Sequence, residues 1–229
     1  MIKVELSDQL PVSLDALPDV VFDYRTNRWK YRDSKKFASM EAVRSLAAKE
    51  IDRKTKDLDS IGKRLVSGEI NSSQASREMA NALKSIHLSG MVMALDRQDD
   101  LQPGLFGQVG RELKRQYYQG KDWETGKPYG LKWLIRDWLQ GQGTPGNDER
   151  LIRRLKLYGE SYRTSYWQTK VSVAKFNGKT MAKRVLGKAE HCVQCPEYSA
   201  RGWVPISEVI PPTANCQCRV RCKCSLIYA

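Results

Sequence analysis

The chain has 229 residues, 41% hydrophobic and 28% charged, with a formal net charge of +13. That length suits one large domain or two small ones, and the apolar fraction is enough for a packed core. No run of roughly 18 apolar residues occurs, so a membrane-spanning helix is not expected, and the first twenty residues lack the basic region and apolar run of a secretory signal, so synthesis in the cytosol is expected.

Residues 1–37 read as an extended N-terminal arm. Pro11 and Pro18 interrupt any helix, and Thr26-Asn27 is a turn signal. Tyr24, Trp29 and Tyr31 alternate with Arg and Lys. That pattern can stack on bases, but docking of the aromatics on a neighbouring surface is the stronger expectation. Residues 38–188 read as a helical body. Val43, Ala47, Ile51, Leu58, Ile61 and Leu65 recur near helical spacing, and Gly68 is placed to stop the helix. A second helix is expected from Ser72 or Ser73 as cap, with Met79, Leu83, Ile86 and Met93 on its apolar face. His87 on this helix reads as a structural residue and not as a ligand.

Leu105, Val109, Leu113 and Tyr117 step by four in a third helix, and residues 119–130 form a loop. Leu131, Leu134, Ile135 and Trp138 share a face of a short amphipathic helix. The segment GQGTPGNDER is a linker ending in Asn147 or Asp148 as cap. One long helix is then expected, with Leu151, Leu155, Tyr158, Tyr162 and Tyr166 on a single stripe and Arg150, Arg153, Arg154, Lys156 and Arg163 on and beside the opposite face. MAKRVLGK reads as a short basic helix.

Residues 189–229 form a cysteine-rich module that holds every cysteine of the chain, spaced Cys192-x2-Cys195-x20-Cys216-x-Cys218-x3-Cys222-x-Cys224. The CxxC followed about twenty residues later by a second cluster is close to a zinc-site pattern, and thiols stay reduced in the cytosol. Disulfide pairing and free buried thiols are the alternatives. In a flat strand, residues i and i+2 stand roughly 6.6 Å apart, whereas two sulfurs on one tetrahedral zinc must approach to about 3.8 Å. Each CxC pair therefore chelates poorly unless the chain bends. Cys218 with Cys222, or Cys218 with Cys224, are expected to join Cys192 and Cys195, leaving Cys216 as the spare and His191 as an alternative ligand. The expected cofactor is one structural Zn2+ per chain. A closed thiolate site has no open position for water, an open catalytic site is hard to build with only His87 and His191, and no thioredoxin-type or deaminase-type context surrounds the CxxC. No residue is assigned a catalytic role, and the chain is not expected to be an enzyme.

The charge is uneven. From Arg150 to Ala229 there are 15 Lys and Arg against 4 acidic residues, and before Arg150 there are 24 against 22. A basic C-terminal third points to a polyanion, most simply nucleic acid. The residues expected to face it are Arg150, Arg153, Arg154, Lys183, Arg184, Arg219, Arg221 and Lys223.

His191-Cys192 with Cys195, Gly202-Trp203 with Pro205-Ile206, Pro211-Pro212, and the closing Cys218, Cys222, Cys224, Leu226 and Tyr228 resemble the C-terminal module of minor head, or head-morphogenesis, proteins of tailed bacteriophages. The resemblance spans residues 104–229, is strongest in the last forty, and leaves Cys216 as an addition. It implies a virion component present in few copies, inside the capsid or at the portal vertex, made in the host cytoplasm. Its implied partners are capsid or portal proteins and packaged DNA bound without sequence preference, in a multi-copy assembly and away from membranes. The fold class expected is mainly α: a helical body, an extended N-terminal arm and a small zinc-stapled, loop- and β-rich C-terminal module. The alternative function is a zinc-ribbon-like DNA-binding regulator.

Overall fold

The computed structural model describes residues 17–121, 126, 128–214 and 216–229, so the expected arm lies outside the described residues up to position 16. The fold is mainly helical, with a small strand-bearing region at its cysteine-rich end, as the pattern of the sequence leads one to expect.

The remainder of the arm segment folds onto the body. Strands β1 (Val20–Asp23) and β2 (Arg28–Tyr31) pair antiparallel with Phe22 opposite Trp29. Asn27 takes the left-handed conformation in the turn, φ 52°, which asparagine tolerates better than most residues. Trp29 is fully buried beside Val43 and Ala47 of helix α1 (Met40–Val66) and Leu88 and Met91 of helix α2 (Ser72–Met93). The Gln98 side chain pins the hairpin, accepting from the Trp29 N–H at 3.0 Å and donating to the Ala38 carbonyl at 3.2 Å. The surface on which this tryptophan docks is thus the chain's own helix pair.

Helices α1 and α2 form the antiparallel spine. Ser39 caps α1, accepting from the Ala42 N–H, and Gly68 (φ 76°) lets the chain leave it. Asn71, not Ser72 or Ser73, caps α2, in a reciprocal capping box with Gln74. Helix α3 (Pro103–Lys114) continues into a π turn at Arg115–Gln119, and Gly120–Lys121 (β3) pairs with Pro128–Tyr129 (β4). Helix α4 (Leu131–Gln140) and helix α5 (Asn147–Gly159) complete a second apolar core through Leu131, Trp138, Leu151 and Leu155, packed on Leu58, Leu65 and Leu83. The residue before α5 is Gly146 (φ 77°) and its side-chain caps are absent. Asn147 and Asp148 instead hold Trp138: Asn147 donates to its carbonyl and Asp148 accepts from its indole N–H at 2.7 Å.

The long helix expected through Tyr166 breaks at Glu160–Ser161. Helix α5 packs on α1 and helix α6 (Tyr162–Phe176) packs on α2. Two glycines permit these crossings. A Cβ on Gly159 would lie 2.4 Å from the Thr55 hydroxyl, and one on Gly90 would lie 2.4 Å from the Tyr162 carbonyl oxygen. The α2–α6 contact encloses His87, whose Nδ1 lies 2.8 Å from Ser165 Oγ and Nε2 3.1 Å from Ser161 Oγ. Burial lowers its pKa to about 4, so the imidazole is a neutral core group.

After α6 the chain enters the C-terminal module. MAKRVLGK is not a helix: Met181–Val185 is strand β5, the centre of a three-stranded antiparallel sheet in the order β6 (Trp203–Pro205), β5, β7 (Ser225–Tyr228). Ala182 and Arg184 point inward, while Met181, Lys183 and Val185 are half-buried on the other face. The inward face joins α6 through a small core of Val171, Ala174, Ala182, Ile206 and Leu226. Thr213 Oγ1 also reaches Thr164 Oγ1 of α6 at 3.2 Å, both residues being buried.

Candidate metal centre

Three short segments converge beside this sheet. His191, Cys192 and Cys195 lie at and just before helix α7 (Gln194–Ala200). Cys216, Cys218 and Cys222 flank a one-turn 3-10 helix at Arg219–Arg221, and Cys224 immediately precedes β7. The turn is closed by N–H bonds from Arg219 to Cys216 O and from Cys222 to Arg219 O, with Arg219 itself in the left-handed region at φ 47°. This bend brings cysteines from both sides of it into one cluster.

Cys195, Cys216, Cys222 and Cys224 are buried, and Cys192 and Cys218 are half-buried. Cys195 Sγ lies 3.5 Å from the Cys192 sulfur, 3.8 Å from Cys218 and 3.8 Å from Cys222. These separations far exceed a disulfide bond of about 2.05 Å and are near the ~3.8 Å edge of a zinc–thiolate tetrahedron. His191 Nδ1 stands 3.9 Å from Cys224 Sγ, and its Nε2 bonds the Gly187 carbonyl at 2.9 Å. A carbonyl only accepts, so the proton is on Nε2 and the Nδ1 lone pair faces the sulfur. Gly187 is required there, because a Cβ would sit 2.1 Å from the Lys223 carbonyl oxygen.

One expectation about ligands changes. Cys216 is not set apart: it is 1% exposed and stands with Cys195 and Cys222 in one potential ligand group. His191 is also within reach, grouped with Cys195 and Cys224, while Cys192 and Cys218 form the third group with Cys195. In each CxC pair the two cysteines belong to different groups, in keeping with the distance argument against chelation by i and i+2. The cluster can therefore hold a metal ion, and the chemistry of its donors, thiolates with one imidazole, suits zinc among the common divalent ions.

Arg184 is the other principal component of the site. Sequence reading placed it at a nucleic-acid surface, but it is 2% exposed and turned inward from β5. Its Nη2 lies 3.0 Å from Cys222 Sγ, 3.5 Å from Cys195 Sγ and 3.7 Å from Cys216 Sγ; Nη1 donates to the Ile210 carbonyl, and the guanidinium stacks on the Tyr198 ring. No carboxylate among the described residues pairs with it. A buried guanidinium needs a negative neighbour, and the thiols supply it. Burial is the largest influence on its pKa and opposes the charge, but the sulfurs of Cys222, Cys224, Cys216 and Cys195 together outweigh it and raise the pKa further. The Cys216 hydrogen bond, backed by Arg184 and two backbone N–H groups, holds Cys222 well below the usual thiol range, while Cys216 as its donor is pushed up.

The other basic residues singled out lie outside the cluster. Arg219, Arg221 and Lys223 are exposed around the thiols, Lys183 is half-buried on the outer face of β5, and Arg150, Arg153 and Arg154 are exposed on α5. In the sheet register Lys183 pairs with both Trp203 and Ile227, giving an outward row of Trp203, Lys183 and Ile227 whose two apolar ends are 45% and 44% exposed. Sequence reasoning singled out Arg184 but missed its place among the thiols and the strand that carries it. The alternation in Met181–Val185 was the available signal, obscured by a cation at an inward position. Compared with protein-family models, with curated proteins and with solved structures, the chain matches none.

Proposed function

We propose that this chain is a structural component of a tailed-phage head, of the minor head or head-morphogenesis type. Its helical body contacts capsid or portal proteins, and its C-terminal module, stapled by structural zinc, presents basic side chains to packaged DNA. The observation that carries this reading is how the resembling segments fold together. His191, Cys192 and Cys195 lie at α7 within the thiol cluster, while Trp203 to Ile206 supply β6 and a core residue and Leu226 and Tyr228 lie on β7, in the one sheet whose central strand sends Arg184 into that cluster. The motif thus corresponds to a small unit with its own architecture, and its sheet is too short to stand without help. Structural zinc can contribute on the order of 10 kcal/mol of apparent folding energy.

Arg219, Arg221 and Lys223, exposed on the turn beside the thiols, give a rigid cationic edge suited to sequence-blind phosphate contacts. The row of Trp203, Lys183 and Ile227 offers a protein partner an apolar ledge with a central charge. The protein acts by assembly and not by catalysis. Mass spectrometry of purified particles of the encoding phage tests the reading: the chain is expected in the head, in few copies. Its absence from particles, together with sequence-selective duplex binding by the isolated chain, would instead establish the regulator reading.

A further inference from the structure

We infer that the module holds two metal ions, not one, bridged by the Cys195 sulfur and with His191 as a ligand. This rests on the structural-zinc reading above and fixes its stoichiometry. Within 4.8 Å the donor atoms group in threes and not in fours: Cys192 with Cys218, Cys216 with Cys222, and His191 with Cys224, each joined by Cys195. A tetrahedral ion takes four donors, one more than any of these groups holds, and the three groups together spread over more donors than one ion can use. Two tetrahedral ions need eight ligand positions, and six sulfurs with one imidazole supply seven. Sharing one thiolate makes up the difference, and Cys195 is the one donor common to every group.

The surroundings are those of a bridged pair. Arg184 is a donor and cannot coordinate, and it stands against the Cys195, Cys216 and Cys222 sulfurs. That leaves the Cys192–Cys195–Cys218 and His191–Cys195–Cys224 groups as the two nuclei, with Cys222 completing the first and Cys216 the second, so that neither CxC pair falls on one ion. His191 is already in the state of a ligand, its Nε2–H held by the Gly187 carbonyl and its Nδ1 turned to Cys224, an arrangement that fixes the tautomer of metal-bound histidines. Six thiolates and two divalent ions leave a charge of about −2, which the buried Arg184 halves. Each CxC pair sends its two sulfurs to different groups, so the alternating spacing that is poor for one ion serves two.

The test is the metal content of the full chain, purified under reducing conditions from zinc-supplemented cells and measured by elemental analysis against protein sulfur. Two zinc ions per chain are expected. One per chain would overturn the bridged pair and leave the structural-zinc reading intact; none, with disulfides in its place, would overturn both. Cobalt titration of the stripped wild-type chain, which needs no variant to fold, should saturate at two equivalents, and saturation at one would again refute the pair. Replacing both His191→Ala and Cys224→Ser should lower the zinc content from two to one, while Cys195→Ser should lose both ions together. Loss of one ion only from Cys195→Ser would exclude the bridge.

Discussion

Acid should weaken this protein through His87 by an amount that can be worked out beforehand. The imidazole is fully buried between Ser161 and Ser165, with Gln116, Glu112 and Arg115 as its polar neighbours. Burial lowers its pKa from 6.5 to about 4, with the nearby Glu112 carboxylate opposing and Arg115 reinforcing the shift. Burial, the largest influence, would raise the Glu112 carboxyl, but the paired Arg115 guanidinium, with smaller help from His87 and the Gln116 hydrogen bond, outweighs it and lowers the pKa. Between these two pH values the unfolded chain carries a proton on His87 that the folded chain does not. The contribution is therefore complete above pH 6.5 and is lost as pH falls toward 4. Integrated from pH 7.5 to 4.5, the loss is on the order of 2–3 kcal/mol. The assay is urea denaturation at both pH values for the wild type and for His87→Gln, whose amide can both donate to and accept from the serine hydroxyls but cannot titrate. Acid also protonates the thiols of the C-terminal module, so the quantity to read is the difference between the two proteins, in which that effect cancels. The wild type should lose on the order of 2–3 kcal/mol more than the variant. Equal losses would refute the assignment of the acid sensitivity to this buried imidazole.

Three further outcomes follow from the packing. Gly90→Ala places a methyl 2.4 Å from the Tyr162 carbonyl and should cost about 1–3 kcal/mol, seen as a lower urea midpoint; an unchanged midpoint would mean that α2 and α6 do not cross so closely. Arg184→Met removes the buried cation among the thiols and should weaken metal retention roughly 10–100-fold in a chelator competition, whereas retention equal to wild type would show that the guanidinium does not stabilise the charged cluster. Replacing Arg219, Arg221 and Lys223 together with Glu should flatten the salt dependence of DNA binding by up to about 0.9 logarithmic units per lost phosphate contact and leave zinc content unchanged; an unaltered slope in filter binding would exclude this edge as the DNA contact.

The helical body was largely legible because its packing is local and periodic. Val43 to Leu65 marks α1, and Leu131 to Trp138 marks α4, since each buries one stripe. The errors arose where tertiary contacts override local preference. The α5–α6 break is invisible in an uninterrupted pattern of leucines and tyrosines, because it depends on the two segments packing on different partners, α1 and α2. Asn147 and Asp148 look like caps, but Trp138 claims them. The thiol cluster was legible as a candidate metal site from spacing alone. Its internal grouping was not, since the bend at Arg219–Arg221 and the position of Cys195 are matters of three-dimensional geometry. Arg184 was misplaced for a simple physical reason: a cation in a basic segment reads as surface until the sulfurs that neutralise it, up to 38 residues away along the chain, are seen beside it.

The most direct test of the account is zinc-edge X-ray absorption on the chain purified under reducing conditions. The account predicts a strong edge and a sulfur-dominated first shell at about 2.3 Å with a minor nitrogen contribution, four ligands per ion. An absent edge, or a first shell of oxygen and nitrogen alone, would contradict a metal-stapled module.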